Sequence, residues 1–173
     1  ISIFPEDGDN AETLIKNADA AMYRSKDEGR STFNLFNASF TQQGLHQLKL
    51  EAALRDAIKN DEFELFFQPQ ATANDGSLIA AEALLRWNNE EFGKAGPGEF
   101  IPVAEEIGII SSIGEWVLDN ACAQLKDWQS KGFKQITVAI NIAPEQISDR
   151  AFPTLVSDVL KKYGLSGTCL EIE

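Results

Sequence analysis

The sequence is poor in the side chains on which zinc and redox sites depend. Among 173 residues there is one histidine, His46, and two cysteines, Cys122 and Cys169. The cysteines are far apart, and neither has a cysteine or histidine neighbour at zinc-ligand spacing. They read as small buried hydrophobes, which fits a reducing compartment. His46 lies in a polar stretch and reads as a surface residue. Basic side chains are also scarce, 15 against 27 acidic ones, for a net charge of −12. That excludes a broad basic surface for a nucleic acid polymer, so a phosphate ligand would need a local arginine, lysine or metal ion. No apolar run approaches a membrane span and no signal peptide opens the chain. A cytoplasmic domain is expected, with any membrane tether lying upstream. No glycine-rich dinucleotide fingerprint follows any strand pattern.

What is present is an ordinary apolar content of 43%, enough for a packed core. The length suits one domain, or one domain plus part of another. Ile1 to Phe4 reads as the end of a strand and Pro5 to Asp9 as a turn. Asn10 caps a helix to about Glu28, with an apolar stripe of Leu14, Ile15, Ala18, Ala21 and Met22. About thirty residues cannot bury a core alone, so this piece reads as the tail of another domain. Lys26 and Arg30 fall at the helix end, where complementing the helix dipole is explanation enough. Ser31 to about Gly44 reads as a linker, followed by a helix over Leu45–Asn60.

Phe63 to Gln70 alternates as a strand that Pro69 should end. Asn74-Asp75-Gly76-Ser77 predicts a hairpin turn, so the next strand should be its antiparallel neighbour. That strand, Leu78 to Trp87, carries Glu82 and Arg86 on one face, an even number of places apart. Unpaired in an apolar core, each would cost several kcal/mol. Either they belong to a structural ion pair, or Glu82 holds a cation and Arg86 a phosphate. A glycine-rich loop over 88–98 and two helices, Glu99–Glu106 and Ser111–Lys131, follow.

Gln135 to Ala143 is read as a strand with Ile136, Val138, Ile140 and Ile142 on one face. Thr137, Ala139 and Asn141 are on the other. A helix over Phe152–Tyr163 and a strand from Thr168 to Glu173 complete the pattern. Strands alternating with helices predict parallel pairing. Large aliphatics on one face and small or polar residues on the other suit a barrel interior, with an open doubly wound sheet as the alternative. Glu82, Asn141 and Glu173 then each place an oxygen ligand near a strand's C-terminal end, a donor set for magnesium, manganese or calcium. Gln68 adds a neutral hydrogen-bonding group and Arg86 a bidentate phosphate donor.

Several ordered blocks resemble the EAL family of cyclic di-GMP phosphodiesterases. They are Phe67-Gln68-Pro69-Gln70, Glu82-Ala83-Leu84 with Arg86-Trp87, Phe100 to Glu105 with Gly108-Ile109-Ile110, Val138 to Ala143, and Leu170-Glu171-Ile172-Glu173. The segments from Ile1 to Asp9 and from Asn17 to Arg30 resemble the C-terminal end of a GGDEF domain, whose signature loop is missing here. The resemblance implies residues 1–30 as a GGDEF remnant, 31–41 as a linker and 42–173 as the N-terminal half of an EAL domain. It implies part of a modified TIM barrel whose first strand is antiparallel, behind a strand–helix remnant. The implied activity is Mg²⁺- or Mn²⁺-dependent hydrolysis of cyclic di-GMP to linear pGpG, and family members often pair as homodimers. In that comparison Glu82, Asn141 and Glu173 are metal ligands, Glu82 being catalytic, while Gln68 and Arg86 contact substrate and Lys26 and Arg30 match GTP phosphate contacts. Ala143 replaces the family's usual serine. The family's aspartate pair, lysine and later glutamate would lie beyond Glu173, so this chain is expected to be inactive alone. The alternative is a degenerate domain that binds cyclic di-GMP as a receptor or serves protein interactions.

Overall fold

The structure, a computed structural model, describes residues 1–27 and 32–173. Arg30 and the end of the first helix lie outside the described residues. The chain divides into two compact units, Ile1–Ala52 and Ala53–Glu173.

In the first unit, α1 (Ala11–Asp27) starts where the sequence places it. Asn10 Oδ1 accepts the Thr13 backbone N–H at 2.9 Å, an N-cap bond. Two expectations change. Ile1 to Phe4 belongs to no strand; among the described residues it is bonded to the 34–36 segment, through Phe36 N–H to Ile1 C=O at 2.7 Å. Of the anticipated apolar stripe, Ala21 is buried but Ile15 and Met22 are exposed. The second helix, α2 (Ala38–Asp56), begins inside the supposed linker. Asn37 explains the early start, because its Oδ1 accepts the Ser39 N–H at 3.0 Å. His46 is exposed, as its polar surroundings suggest.

The second unit is built on one sheet. Its strands are β1 (Phe63–Ala71), β2 (Leu78–Asn89), β3 (Gly93–Ala95), β4 (Thr137–Ile140) and β5 (Leu170–Ile172). The order is β1-β2-β4-β5, with β3 paired to β2. β1 and β2 are antiparallel, as the turn chemistry requires, and β2-β4 and β4-β5 are parallel. The turn is held by Asp75, which accepts from Thr72 Oγ1, from the Ser77 N–H at 3.0 Å and from Ser77 Oγ at 2.8 Å. Those bonds hold its carboxyl at about 2.

Pro69 does not end the pairing, which continues through Pro69↔Ala81 and Gln70↔Ala80. β1 is an outer strand, where a missing N–H can face away from the ladder. The glycine-rich loop is a second hairpin: β2 runs on to Asn89 and β3 returns beside it, Trp87 opposite Ala95. β4 is shorter than its apolar alternation, because pairing to β2 stops at Ile140.

The helices α3 (Pro97–Glu106), α4 (Ile110–Ser130) and α6 (Phe152–Tyr163) follow the expected pattern. A short α5 (Pro144–Ile147) follows β4. Phe63 meets Trp116 of α4 at 5.9 Å between ring centroids and Phe100 of α3 at 6.0 Å, and Phe67 meets Trp128 at 4.8 Å. Helices α3 and α4 therefore cover the sheet face that carries the odd-numbered residues of β1 and β2. Val138 and Ile140, which β4 presents to that face, are fully buried. Cys122 and Cys169 are buried and free, and burial pushes the Cys122 thiol up to about 11. No helix among the described residues is long and apolar enough to cross a membrane.

Candidate functional site

The register settles which side chains share the sheet's other face. Gln68 is directly opposite Glu82, Glu82 is beside Ala139, and Ala139 is beside Glu171. These four form one row across the sheet. One step further along, Glu173 donates its N–H to Ile140 C=O at 2.9 Å and accepts the Ile142 N–H at 3.0 Å. Those two bonds bracket Asn141, so Asn141 and Glu173 are paired neighbours. Arg86 is four residues beyond Glu82 on β2, opposite Glu64. Gln68, Glu82, Arg86, Asn141 and Glu173 thus share one face by register, while Arg86 and Asn141 also border a cavity on the α3 and α4 side.

Two of them touch. Asn141 Nδ2 donates to Glu82 Oε1 at 2.8 Å. The second carboxylate oxygen of Glu82, Asn141 Oδ1 and the Glu173 carboxylate have no hydrogen-bond partner among the described residues. The expected position of Glu82 near a strand's C-terminal end is corrected. It lies well inside β2, which continues to Asn89 because β1 and β3 go on pairing with it after β4 has ended.

Arg86 is half-buried. Its Nη1 donates to the Leu85 carbonyl at 2.8 Å, and the guanidinium lies over the Phe66 ring, 5.5 Å from the centroid. Beyond Ala83 and Ile140 the two parallel strands part. A cavity of 380 Å³ opens there, lined by Arg86, Asn141, Glu105, Gln146 and apolar groups of α3 and α4. A larger cavity, 540 Å³, lies in the first unit beside Tyr23, Arg24 and His46, and holds none of the expected site residues. Lys26 is exposed in the last turn of α1.

The donors suit a hard divalent cation, since carboxylate and amide oxygens converge without sulfur or imidazole. Among the described residues no three His, Cys, Asp or Glu side chains gather, so a site here depends on the amide of Asn141. Glu171 was not singled out from the sequence, although alternation with Glu173 places it on the same face. The sequence marks Glu105 only as the end of a family block and Gln146 not at all; the gap between β2 and β4 brings both to the mouth.

The EAL domain family model matches residues 51–173. The bifunctional diguanylate cyclase/cyclic di-GMP phosphodiesterase MucR of Pseudomonas aeruginosa is 38% identical over all 173 residues, which span 25% of its length. A solved structure of the PaMucR phosphodiesterase in complex with c-di-GMP superposes with a TM-score of 0.70 at 35% identity, over 72% of this chain and 50% of that one. The Xanthomonas citri FimX EAL domain in complex with c-di-GMP gives 0.65 at 26% identity, over 76% of this chain and 51% of that one. The chain spans about a quarter of the length of the curated relatives it matches.

Proposed function

The chain belongs to the EAL domain family, and from that premise we propose that its open sheet face serves the metal-dependent hydrolysis of cyclic di-GMP to linear pGpG. The observation that carries this reading is the contact of Asn141 with Glu82, with Glu173 paired beside Asn141 and Arg86 on the same face.

Glu82, Asn141 and Glu173 would hold Mg²⁺ or Mn²⁺. Bound there, such an ion supplies an acidified water and polarises the phosphoryl oxygens. The chain's own residues do the rest. The hydrogen bond from Asn141 Nδ2 orients the Glu82 carboxylate and leaves one oxygen of each side chain free for an ion. Arg86 offers its fork to a phosphate, offsetting the repulsion of a chain with net charge −12. Gln68, opposite Glu82, is within reach of the same ligand as a neutral donor and acceptor.

The match to half of the MucR structure and the antiparallel pairing of β1 with β2 support reading residues 42–173 as the first half of a modified TIM barrel. Residues 1–30, Lys26 and Arg30 included, are proposed as the end of a GGDEF domain and 31–41 as the linker. The alignment of all 173 residues to a quarter of a bifunctional cyclase/phosphodiesterase favours that arrangement. The 173-residue chain alone is then proposed to lack turnover.

The test is cyclic di-GMP cleavage with Mn²⁺, followed by chromatography of pGpG. The full-length protein should cleave, Glu82→Gln should not, and the isolated chain should not. An active Glu82→Gln variant would refute the assignment of Glu82. Binding without cleavage by the full-length wild type would replace the enzyme reading with that of a receptor.

A further inference from the structure

Arg86 and Glu64 are directly opposite each other on β2 and β1, on the face that carries the proposed site. Opposite charges at such positions are close enough to pair. Here they do not: no ion pair joins them among the described residues. Glu64 Oε2 instead accepts from Asn88 Nδ2 at 3.2 Å. Arg86 gives one donor to the Leu85 carbonyl and rests on Phe66, and its remaining donors have no acceptor among the described residues.

Asn88 is in turn held in place. Its backbone N–H donates to the Glu62 carbonyl at 2.8 Å. Its two neighbours, through Trp87 Nε1 and Asn89 Nδ2, both donate to Glu62 Oε2 at 2.9 Å. The amide that captures Glu64 therefore projects from a clamped stretch of β2.

A carboxylate tethered across the ladder would compete for the guanidinium at high effective concentration. It would also neutralise the cation that an anionic ligand needs. We propose that Asn88 is a positioning residue for Arg86: by engaging Glu64 it keeps the guanidinium open to a phosphate diester. The identity of that anion rests on the phosphodiesterase reading; the diversion of Glu64 does not.

The experiment compares Asn88→Ala, Glu64→Gln and the double variant in the full-length protein, by steady-state cleavage of cyclic di-GMP at low and high salt. Asn88→Ala should lower kcat/KM about fivefold as Glu64 swings onto Arg86, and high salt should shrink the loss. Glu64→Gln should stay within about twofold of wild type, and adding it to Asn88→Ala should restore activity to that range. Asn88→Leu, of similar size but without a donor, should show the same defect and the same rescue, so the inference survives poor folding of one variant. A defect in Asn88→Ala and Asn88→Leu that Glu64→Gln leaves unrepaired, or no defect in either variant, overturns the inference while an active wild type keeps the enzyme reading. A wild type without cleavage overturns the enzyme reading alone; the same variants are then compared by cyclic di-GMP affinity, where an Asn88 defect that Glu64→Gln leaves unrepaired, or no defect, overturns the inference.

Discussion

Asn141 donates its side-chain amide to Glu82 across 2.8 Å, although 59 residues separate them. The contact follows from parallel pairing. Glu82 is in register with Ala139, and Asn141 stands two residues further on, with its side chain on the same face. An amide has one donor end and one acceptor end, so giving its N–H to Glu82 leaves its oxygen free for another partner.

Replacing Asn141 with alanine should remove one oxygen ligand and release the Glu82 carboxylate at once. Mn²⁺ affinity of the full-length protein, measured by calorimetry, should fall by about tenfold or more. Asn141 is exposed, so the melting temperature should scarcely move. Unchanged Mn²⁺ binding would remove Asn141 from the ligand set.

Arg86→Lys keeps the charge but loses the planar fork and its stacking on Phe66. In cleavage assays kcat/KM should fall by about tenfold, since a point charge cannot grip two phosphate oxygens as a fork does. If lysine serves as well as arginine, the contact is one of charge alone.

The parts of this fold that were legible are those whose signal is local. Asn10 caps α1, Asp75 and Gly76 build the β1–β2 turn, and Gly164, at φ 61°, closes α6. Strand alternation put Glu82 and Arg86 on one face, and the register bears out that geometry. What stayed hidden depends on partners distant in sequence. Gly93-Lys94-Ala95 carries no strand pattern and becomes β3 only because β2 extends beside it. Pro69 can pair because its strand is an outer one, a fact no window of residues contains. The diversion of Glu64 by Asn88, and the clamp on Trp87 and Asn89 by Glu62, join residues 24, 25 and 27 positions apart.

That clamp should leave a mark on stability against pH. Burial works against the charge of Glu62, but hydrogen bonds from Asn89, Asn60 and Trp87 hold its carboxyl below the ordinary glutamate value. A carboxyl depressed in the folded state contributes stability above its unfolded pKa and loses it as pH falls through the folded one. Thermal midpoints should therefore decline as pH drops below about 4.3, the unperturbed glutamate value. Glu62→Gln should flatten the curve there, because that side chain no longer titrates. An identical slope in the variant would show that the clamp adds nothing to acid stability.

Gly114→Ala sets two effects of opposite sign against each other. Alanine in a helix interior gains about 1 kcal/mol over glycine. A Cβ at Gly114, however, would collide with the end of the Gln146 side chain, Oε1 at 2.6 Å and Cδ at 2.7 Å. Gln146 is only 5% exposed, and its N–H is bonded to the Ala143 carbonyl at 3.0 Å, so the residue cannot back away as a whole. Overpacking of this kind costs about 1–3 kcal/mol, which outweighs the propensity gain. Denaturant titration should show a net loss for Gly114→Ala, and adding Gln146→Ala should recover most of it by deleting the atoms in the way. If the single variant is instead more stable than wild type, the Gln146 amide can swing into the adjoining cavity. Helix propensity then decides the sign, and the mouth beside Arg86 and Asn141 is more deformable than its packing implies.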